Sequence, residues 1–357
     1  MRDGARMFIK VRMKSARMRE FLERRRRLFT GAHFSSALFC NGDQTKGESA
    51  SFSYFSGCRA DGSYLVLKRG GGVLLTHEMN YEEARKTCCY PVRKFGKKPV
   101  NDLRKACGRG RIGFAPGEMS AARYMALRKM AKLALVDAGE KVAKTRGRKS
   151  ESDVRKIAAA AGVAKKILGS LKPWKFRTEE ELAAYLKATA LMHGCEVSFE
   201  PIVATGRNSA LPHHKSGGAR LGNFVLVDFG VKKDGYCSDF TRCYFRGSGA
   251  EKERKAYEKC RKTWQGIFEA LPKCKTGKDV ALLGKKLLKE QGLPLLIHSI
   301  GHGIGMEVHE YPHLGLKSRE ALEGAALAIE PAAYFPGRFG VRYEGMMAHV
   351  KGKWREL

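Results

Sequence analysis

The run from Leu221 to Phe245, LGNFVLVDFGVKKDGYCSDFTRCYF, constrains this chain more than any other stretch. Phe224 to Val227 is apolar and β-rich, Lys232-Lys233-Asp234-Gly235 is a turn signal, and Tyr236 to Phe245 is a second β-rich run. The pattern predicts two strands around a turn. A four-residue turn pairs Val231 with Tyr236, and the ladder then sets Asp228 opposite Asp239; the Asp-Gly pair can move that register by a residue or two. Two carboxylates facing each other at about 5 Å repel. In so apolar a strand, the best candidate to offset the repulsion is a divalent cation, which takes hard oxygen ligands. A surface hairpin with one turn acid and one capping acid is the competing reading.

A chain of 357 residues suits two domains. No apolar run approaches the length of a membrane span. The Arg-rich N-terminus lacks the continuous apolar segment of a secretory signal. Residues 1–12 read as a short extension, with Met7 and Met13 as alternative starts and a transit peptide as the other reading. Ten cysteines with no CxxC pair suit reduced thiols and a cytoplasmic location. The net charge of +32 is spread along the chain, with denser runs at Arg24 to Arg27 and from Arg85 to Arg111. It reads as a general basic bias or as a basic surface for nucleic acid or ribosome. No zinc finger or RNP-type signature supports the second reading, so nucleic-acid contact is expected to be weak, non-specific and salt-dependent.

In chain order, Arg12 to Leu28 reads as a basic amphipathic helix with Met18, Phe21, Leu22 and Leu28 on one side. His33 to Cys40, Ser51 to Phe55, Ser63 to Leu67, Val73 to Thr76 and Arg111 to Phe114 read as strands, and Gly70-Gly71-Gly72 as a hairpin turn. Met79 to Cys88 and Met119 to Lys132, the latter opened by Ser120, read as helices, which makes an α/β domain over residues 1–140. Lys141 to Glu151, helix-poor at Thr145-Arg146-Gly147, reads as the boundary, with a second domain over 141–357. Helices follow from Ser150 or Ser152 to Leu171, from Thr178-Glu179-Glu180-Glu181 to about His193, from Lys252 to Ala270 and from Val280 to Gln291.

Two further clusters carry chemistry. His298, His302 and His309 fall within twelve residues, and the glycines flanking His302 allow close backbone approach to a ligand. Glu330 in Ile329-Glu330-Pro331 and Glu344 after Val341-Arg342-Tyr343 each interrupt an apolar β-like run, where an unpaired carboxylate is costly. With Asp228, Asp239 and His302 they make four carboxylates and one imidazole, a set that can hold two divalent ions and activate water.

These motifs resemble the pita-bread metallopeptidases, closest to the Xaa-Pro aminopeptidase and prolidase branch, over nearly the whole chain. Asp228 and the block Gly235-Tyr236-Cys237-Ser238-Asp239-Phe240-Thr241-Arg242 resemble the two aspartate ligands. Gly301-His302-Gly303 resembles the histidine ligand, and Glu330 and Glu344 the two glutamates. Ala210-Leu211-Pro212-His213 and Val308-His309-Glu310 resemble the loops that carry the two catalytic histidines. The family usually has glycine at Ala332 and aspartate at Gly345, and loss of that aspartate could loosen support for the metal. The fourteen-residue spacing from Glu330 to Glu344 resembles the proline-specific enzymes; methionine aminopeptidases carry a longer insertion there.

The resemblance implies a creatinase-type α/β N-terminal domain followed by an α+β pita-bread catalytic domain, working on short peptides as a homodimer. It implies that Asp228 is a bidentate ligand of one metal, that Asp239 and Glu344 bridge the pair, and that His302 and Glu330 hold the other. A water between the ions attacks, Glu330 takes its proton, and His309 with His213 supports the substrate carbonyl and leaving group. Arg342 is expected to bind substrate, Tyr311 and Tyr334 to wall the pocket, and His298 and Thr241 to stand behind the ligands. The oxygen-rich shell favours manganese or cobalt, with zinc or iron as alternatives. The rival readings are a methionine aminopeptidase, a metal-free creatine hydrolase, and a non-catalytic nucleic-acid- or ribosome-binding protein on the same fold. The full set of five ligands disfavours the last two.

Overall fold

The computed structural model describes residues 17–42 and 48–357. The chain forms two compact units, Met1–Arg146 and Gly147–Leu357. Among the described residues, no helix is long and apolar enough to cross a membrane. The expected extension over residues 1–12, and the start of the helix expected from Arg12, lie outside the described residues.

The first unit opens on helix α1 (residues 17–29). Phe21, Arg24, Leu28 and Phe29 are its buried side chains, whereas Met18 and Leu22, expected beside Phe21, are 42% and 40% exposed. Arg24 takes the inner position because its guanidinium stacks over Phe21 and Tyr54, 4.7 and 4.0 Å from the ring centroids, and donates to the Tyr54 carbonyl. There follow β1 (Ser36–Cys40), α2 (Ala50–Ser56), β2 (Tyr64–Lys68), β3 (Gly71–Thr76), α3 (Glu78–Thr87), β4 (Val92–Lys94), α4 (Pro99–Cys107), β5 (Arg111–Phe114), α5 (Ala121–Met130), β6 (Ala134–Asp137) and α6 (Gly139–Gly147). The strands make one mixed sheet in the order β4-β3-β2-β1-β5-β6. Leu38, Val66, Leu75 and Ile112 of that sheet share a core with Leu103 of α4 and Leu127 of α5.

Two local expectations fail in this unit. Ser51 to Phe55, read as a strand, lies in α2. The Ser49 hydroxyl accepts the Phe52 N–H, and Gly57 closes the helix in the left-handed region at φ 70°. Caps at both ends make the short helix, and both its serines and its aromatics are buried. Thr145-Arg146-Gly147, read as helix-poor, ends α6 instead. Thr145 Oγ1 donates to the Lys141 carbonyl at 2.7 Å, and the buried Arg146 reaches Ser51 Oγ and Glu118 Oε1.

The second unit contains α7 (Glu151–Ser170), α8 (Glu179–Met192), β7 (Glu196–Val197), β8 (Ile202–Thr205), β9 (Phe224–Phe229), β10 (Val231–Lys233), β11 (Tyr236–Cys237), β12 (Phe240–Phe245), α9 (Glu251–Ala270), α10 (Gly277–Glu290), β13 (Gly301–Gly303), β14 (Glu310–His313), β15 (Ala326–Ile329), β16 (Ala332–Phe335), β17 (Phe339–Arg342), β18 (Gly345–Val350) and β19 (Lys353–Glu356). The sheets are β12-β9-β8, β11-β10-β7, β14-β13-β15-β18-β19 and the hairpin β16-β17. Tyr257, Cys260, Trp264 and Ile267 line one face of α9 at helical spacing and join Leu226, Leu327, Val341 and Met347 in the core.

The hairpin register differs from the one expected. Asp234 and Gly235 both have positive φ, 51° and 83°, which is the two-residue turn that matches strand twist. Lys233 therefore pairs with Tyr236, and Asp228 with Thr241 rather than Asp239. Asp239 falls in the break between β11 and β12, where Gly230 and Ser238 touch so closely that a Cβ on Gly230 would lie 1.8 Å from the Ser238 carbonyl oxygen.

Gly345 follows from packing. A Cβ there would stand 2.9 Å from the Trp264 ring, whose Nε1 faces the Gly345 carbonyl at 3.4 Å. The indole occupies the space a side chain would need. Gly345→Ala should therefore lose about 1–3 kcal/mol of stability in urea denaturation, and a variant as stable as the parent would contradict this packing.

Candidate metal centre

Each acid of the expected set reaches the site from a different piece of the second unit. Asp228 is the fifth residue of β9, whose six residues are all buried between β8 and β12. Asp239 leaves the ladder just before β12, with its N–H on Met346 Sδ at 3.2 Å. His302 is the central residue of β13. The neighbouring strands require glycine at Gly301 and Gly303: a Cβ would meet the Ala328 carbonyl oxygen at 2.2 Å or Tyr311 backbone at 2.5 Å. Glu330 follows β15, and Glu344 lies between β17 and β18. Thr241 joins the sheets. It pairs with Asp228, donates its hydroxyl to Glu344 Oε2 at 2.8 Å, and its carbonyl accepts the Glu344 N–H at 3.3 Å.

The side chains converge. Asp239, His302 and Glu344 offer ligand atoms within 4.8 Å of one another. His302 Nε2 stands 3.6 Å from Asp239 Oδ2 and 4.0 Å from Glu330 Oε1. His302 Nδ1 donates to the Gly303 carbonyl at 3.1 Å, which leaves the Nε2 lone pair directed among the carboxylates. Asp228 Oδ2 accepts from the Arg342 guanidinium at 2.6 Å. Buried Asp228 Oδ1 and Asp239 Oδ1 have no hydrogen-bond partner.

The electrostatics describe a site short of positive charge. Burial, reinforced by Glu344, Asp228 and Glu330, raises the Asp239 carboxyl well above its usual range. Burial raises Glu344 as well, helped by Asp228 and Glu330. Glu330 is pushed up to about 7 by burial despite the nearby Arg342. Burial and the facing His309 hold His302 down to about 4, so its imidazole is neutral and able to ligate. Two bare carboxylate oxygens, crowded acids and a neutral imidazole fit divalent cations with oxygen and nitrogen ligands.

The remaining imidazoles sort by exposure. His309 is exposed and sits edge-on to His302, with ring centroids 4.2 Å apart. His213 is exposed on the loop before β9, and its charge is among the causes that lower both His298 and His309, after burial. His298 donates from Nδ1 to the Ser299 carbonyl at 2.7 Å and accepts the Tyr334 hydroxyl at Nε2 at 3.0 Å. Arg342, expected to bind substrate, is 3% exposed, and its donors go to Asp228, Thr241 and Tyr334. Its bonds are those of a brace behind the acids. Tyr334 is correspondingly buried, while Tyr311 is half-buried against Gly147.

Two features escaped the sequence reading. Glu179, which looks like an ordinary first-turn acid, is fully buried and bonded to the loop that carries His213. Lys149 and Glu310 form a buried ion pair beside His309. Neither residue type nor spacing marks these positions, because both contacts join residues far apart in the chain.

Residues 153–350 match metallopeptidase family M24, and residues 22–147 match the creatinase/prolidase N-terminal domain. An Xaa-Pro dipeptidase of Pyrococcus furiosus is 30% identical over 300 residues, which cover 82% of this chain and 86% of the relative. The solved prolidase from Pyrococcus horikoshii OT3 is 26% identical, with a TM-score of 0.81 over 94% of this chain and 97% of that one. The Xaa-Pro dipeptidase structure from Bacillus anthracis is also 26% identical, with a TM-score of 0.83 over 95% of this chain and 97% of that one. With a family match over more than half its length, the chain belongs to metallopeptidase family M24.

Proposed function

We propose that this chain is an exopeptidase that hydrolyses the Xaa-Pro bond of short peptides with a free N-terminus. It would use two divalent ions held by Asp228, Asp239, His302, Glu330 and Glu344. The observation that carries the reading is the layered arrangement of the site: ligand atoms lie in the interior, with exposed His309 against His302 at the solvent side. The names of the relatives, Xaa-Pro dipeptidase and prolidase, favour dipeptides as the substrate.

When bound, the ions would supply Lewis-acid activation of water and of the scissile carbonyl, with manganese or cobalt favoured over zinc or iron. The chain's own residues do the rest. Glu330 accepts the proton of the attacking water at a carboxylate oxygen. His309 Nε2 or Nδ1 donates to the oxygen on which negative charge develops. His213 then protonates the proline nitrogen, a tertiary amide nitrogen that must gain a proton as it leaves. Arg342 and Thr241 hold Asp228 and Glu344 in place. A proline nitrogen has no N–H to offer a strand-like binding site, so recognition falls to ring shape against His213, His309 and neighbouring apolar groups. Ten cysteines without a CxxC pair suit a reducing cytoplasm. The same reading includes a homodimer and weak, salt-dependent contact with nucleic acid.

The assay uses metal-reconstituted protein against Ala-Pro, Ala-Pro-Ala, Ala-Ala, N-acetyl-Ala-Pro and Met-Ala-Ser. Ala-Pro should exceed Ala-Ala about tenfold or more in kcat/KM, equivalent to about 1.4 kcal/mol. Chelation and N-acetylation should each abolish turnover, with manganese or cobalt restoring the chelated enzyme. Faster release of methionine from Met-Ala-Ser would move the assignment to methionine aminopeptidase, and undiminished turnover in excess chelator would defeat the metal mechanism.

The histidines should separate in a second measurement. His309→Ala should keep its bound metal and lose about 10²-fold or more in turnover, whereas His302→Ala should lose metal. Equal metal contents in the two variants would show that the division between ligand and catalyst is misdrawn.

A further inference from the structure

We propose that Glu179 is a positioning residue for His213, holding the loop of residues 205–217 in its working shape; the inference rests on the reading of His213 as a group that touches substrate. Glu180 and Glu181 at the start of α8 are exposed as first-turn acids should be, but Glu179 beside them is 0% exposed. A carboxylate so far from water is costly unless its lone pairs are filled. Four donors fill them here. Oε1 accepts the Thr205 N–H at 2.8 Å and the Asn208 amide at 3.0 Å. Oε2 accepts His214 Nε2–H at 2.7 Å and the Gly217 N–H at 3.3 Å.

None of these donors belongs to the helix of Glu179, so the side chain is not a cap. All four lie along the segment that carries His213: at the last residue of β8, in the first turn after it, next to His213 and at Gly217. The start of α8 reinforces the grip through the Glu180 N–H on the Gly217 carbonyl at 3.0 Å. On its other side the loop is fixed to β17. Ser209 Oγ accepts the Gly340 N–H at 2.9 Å, and a Cβ on Gly340 would lie 2.2 Å from the Ser209 carbonyl oxygen. Arg342, the brace of Asp228, lies two residues further along that strand. The loop is thus clamped between a buried carboxylate and the strand that orders the acids, and exposed His213 is one peptide from the His214 bond.

The division of labour is specific. The four side-chain hydrogen bonds of Glu179 go to Thr205, Asn208, His214 and Gly217 and to none of Asp228, Asp239, His302, Glu330 or Glu344. Loosening the clamp should therefore leave the metal ligands in place and misplace one imidazole. A displacement of about 1 Å at a reacting group can cost on the order of 10²-fold.

The test is a double-mutant cycle in metal-loaded protein, with Glu179→Gln, His213→Ala and the pair assayed on Ala-Pro. Glutamine keeps the shape but turns an N–H toward donors that need an acceptor. Glu179→Gln should keep the parent's metal content and lose about tenfold in kcat/KM, and the double variant should be no slower than His213→Ala alone. Loss of metal, or an equal further loss in the His213→Ala background, would overturn the proposal. Should Glu179→Gln fail to fold, His214→Ala removes one donor only: it should show the same non-additivity, and His214→Gln, which restores an N–H, should recover most of the loss. Full activity in His214→Ala would also overturn it. Histidine ring resonances give a readout that needs no turnover. Those of His213 should move in Glu179→Gln and in His214→Ala, while those of His349 stay. A parent that cleaves no Ala-Pro defeats the proposed function, whereas unmoved His213 resonances defeat the role of Glu179.

Discussion

The constraint on which the catalytic unit depends is repulsion among buried acids. Asp228, Asp239 and Glu344 are buried and Glu330 is half-buried beside them, with the Arg342 guanidinium on the Asp228 carboxylate. Ionised carboxylates gathered in a low dielectric repel strongly, and burial drives the carboxyls of Asp239, Glu330 and Glu344 toward their protonated forms. The fold holds them together nonetheless. Backbone contacts fix the acids in place, as in the Asp228–Thr241 pair, the Glu344 N–H on Thr241, the Glu330 N–H on the Ile300 carbonyl and the Asp239 N–H on Met346 Sδ. Cations remove the repulsion, and metal binding is then linked to the release of protons from these groups.

From that centre outward, the site is graded by exposure. His302 is buried, with its Nδ1–H committed to a carbonyl and its Nε2 free to ligate. His298 is half-buried and tied to Tyr334. His309 and His213 are exposed, which leaves them able to meet a substrate entering from solvent. The four imidazoles thus differ in burial and in hydrogen bonding, not in residue type.

The acids were legible because a carboxylate inside an apolar β-rich run is anomalous at the level of residue type. Asp228 in FVLVDF and Glu330 in ALAIEP stand out without any structure. The hairpin itself was legible too, but its register was not: the turn narrowed to Asp234-Gly235, and two residues of slippage moved the partner of Asp228 from Asp239 to Thr241. Serine alternating with an aromatic over Ser51 to Tyr54 imitates a strand, and only the Ser49 and Gly57 caps reveal the helix. Arg342 reads as an available cation until burial removes it from solvent. Glu179 reads as a helix-start acid because its four donors lie from twenty-six to thirty-eight residues away. Residue chemistry is local and therefore visible in sequence; the partner that gives it a role is set by tertiary contact.

Anomalous diffraction from crystals of manganese-loaded protein tests directly whether this cluster of acids holds a pair of ions. Two manganese peaks about 3.5–4 Å apart are expected, with Asp228 Oδ1 and Asp239 Oδ1 among the ligands and His302 Nε2 on one ion. A single peak, or manganese bound away from these atoms, would contradict this expectation.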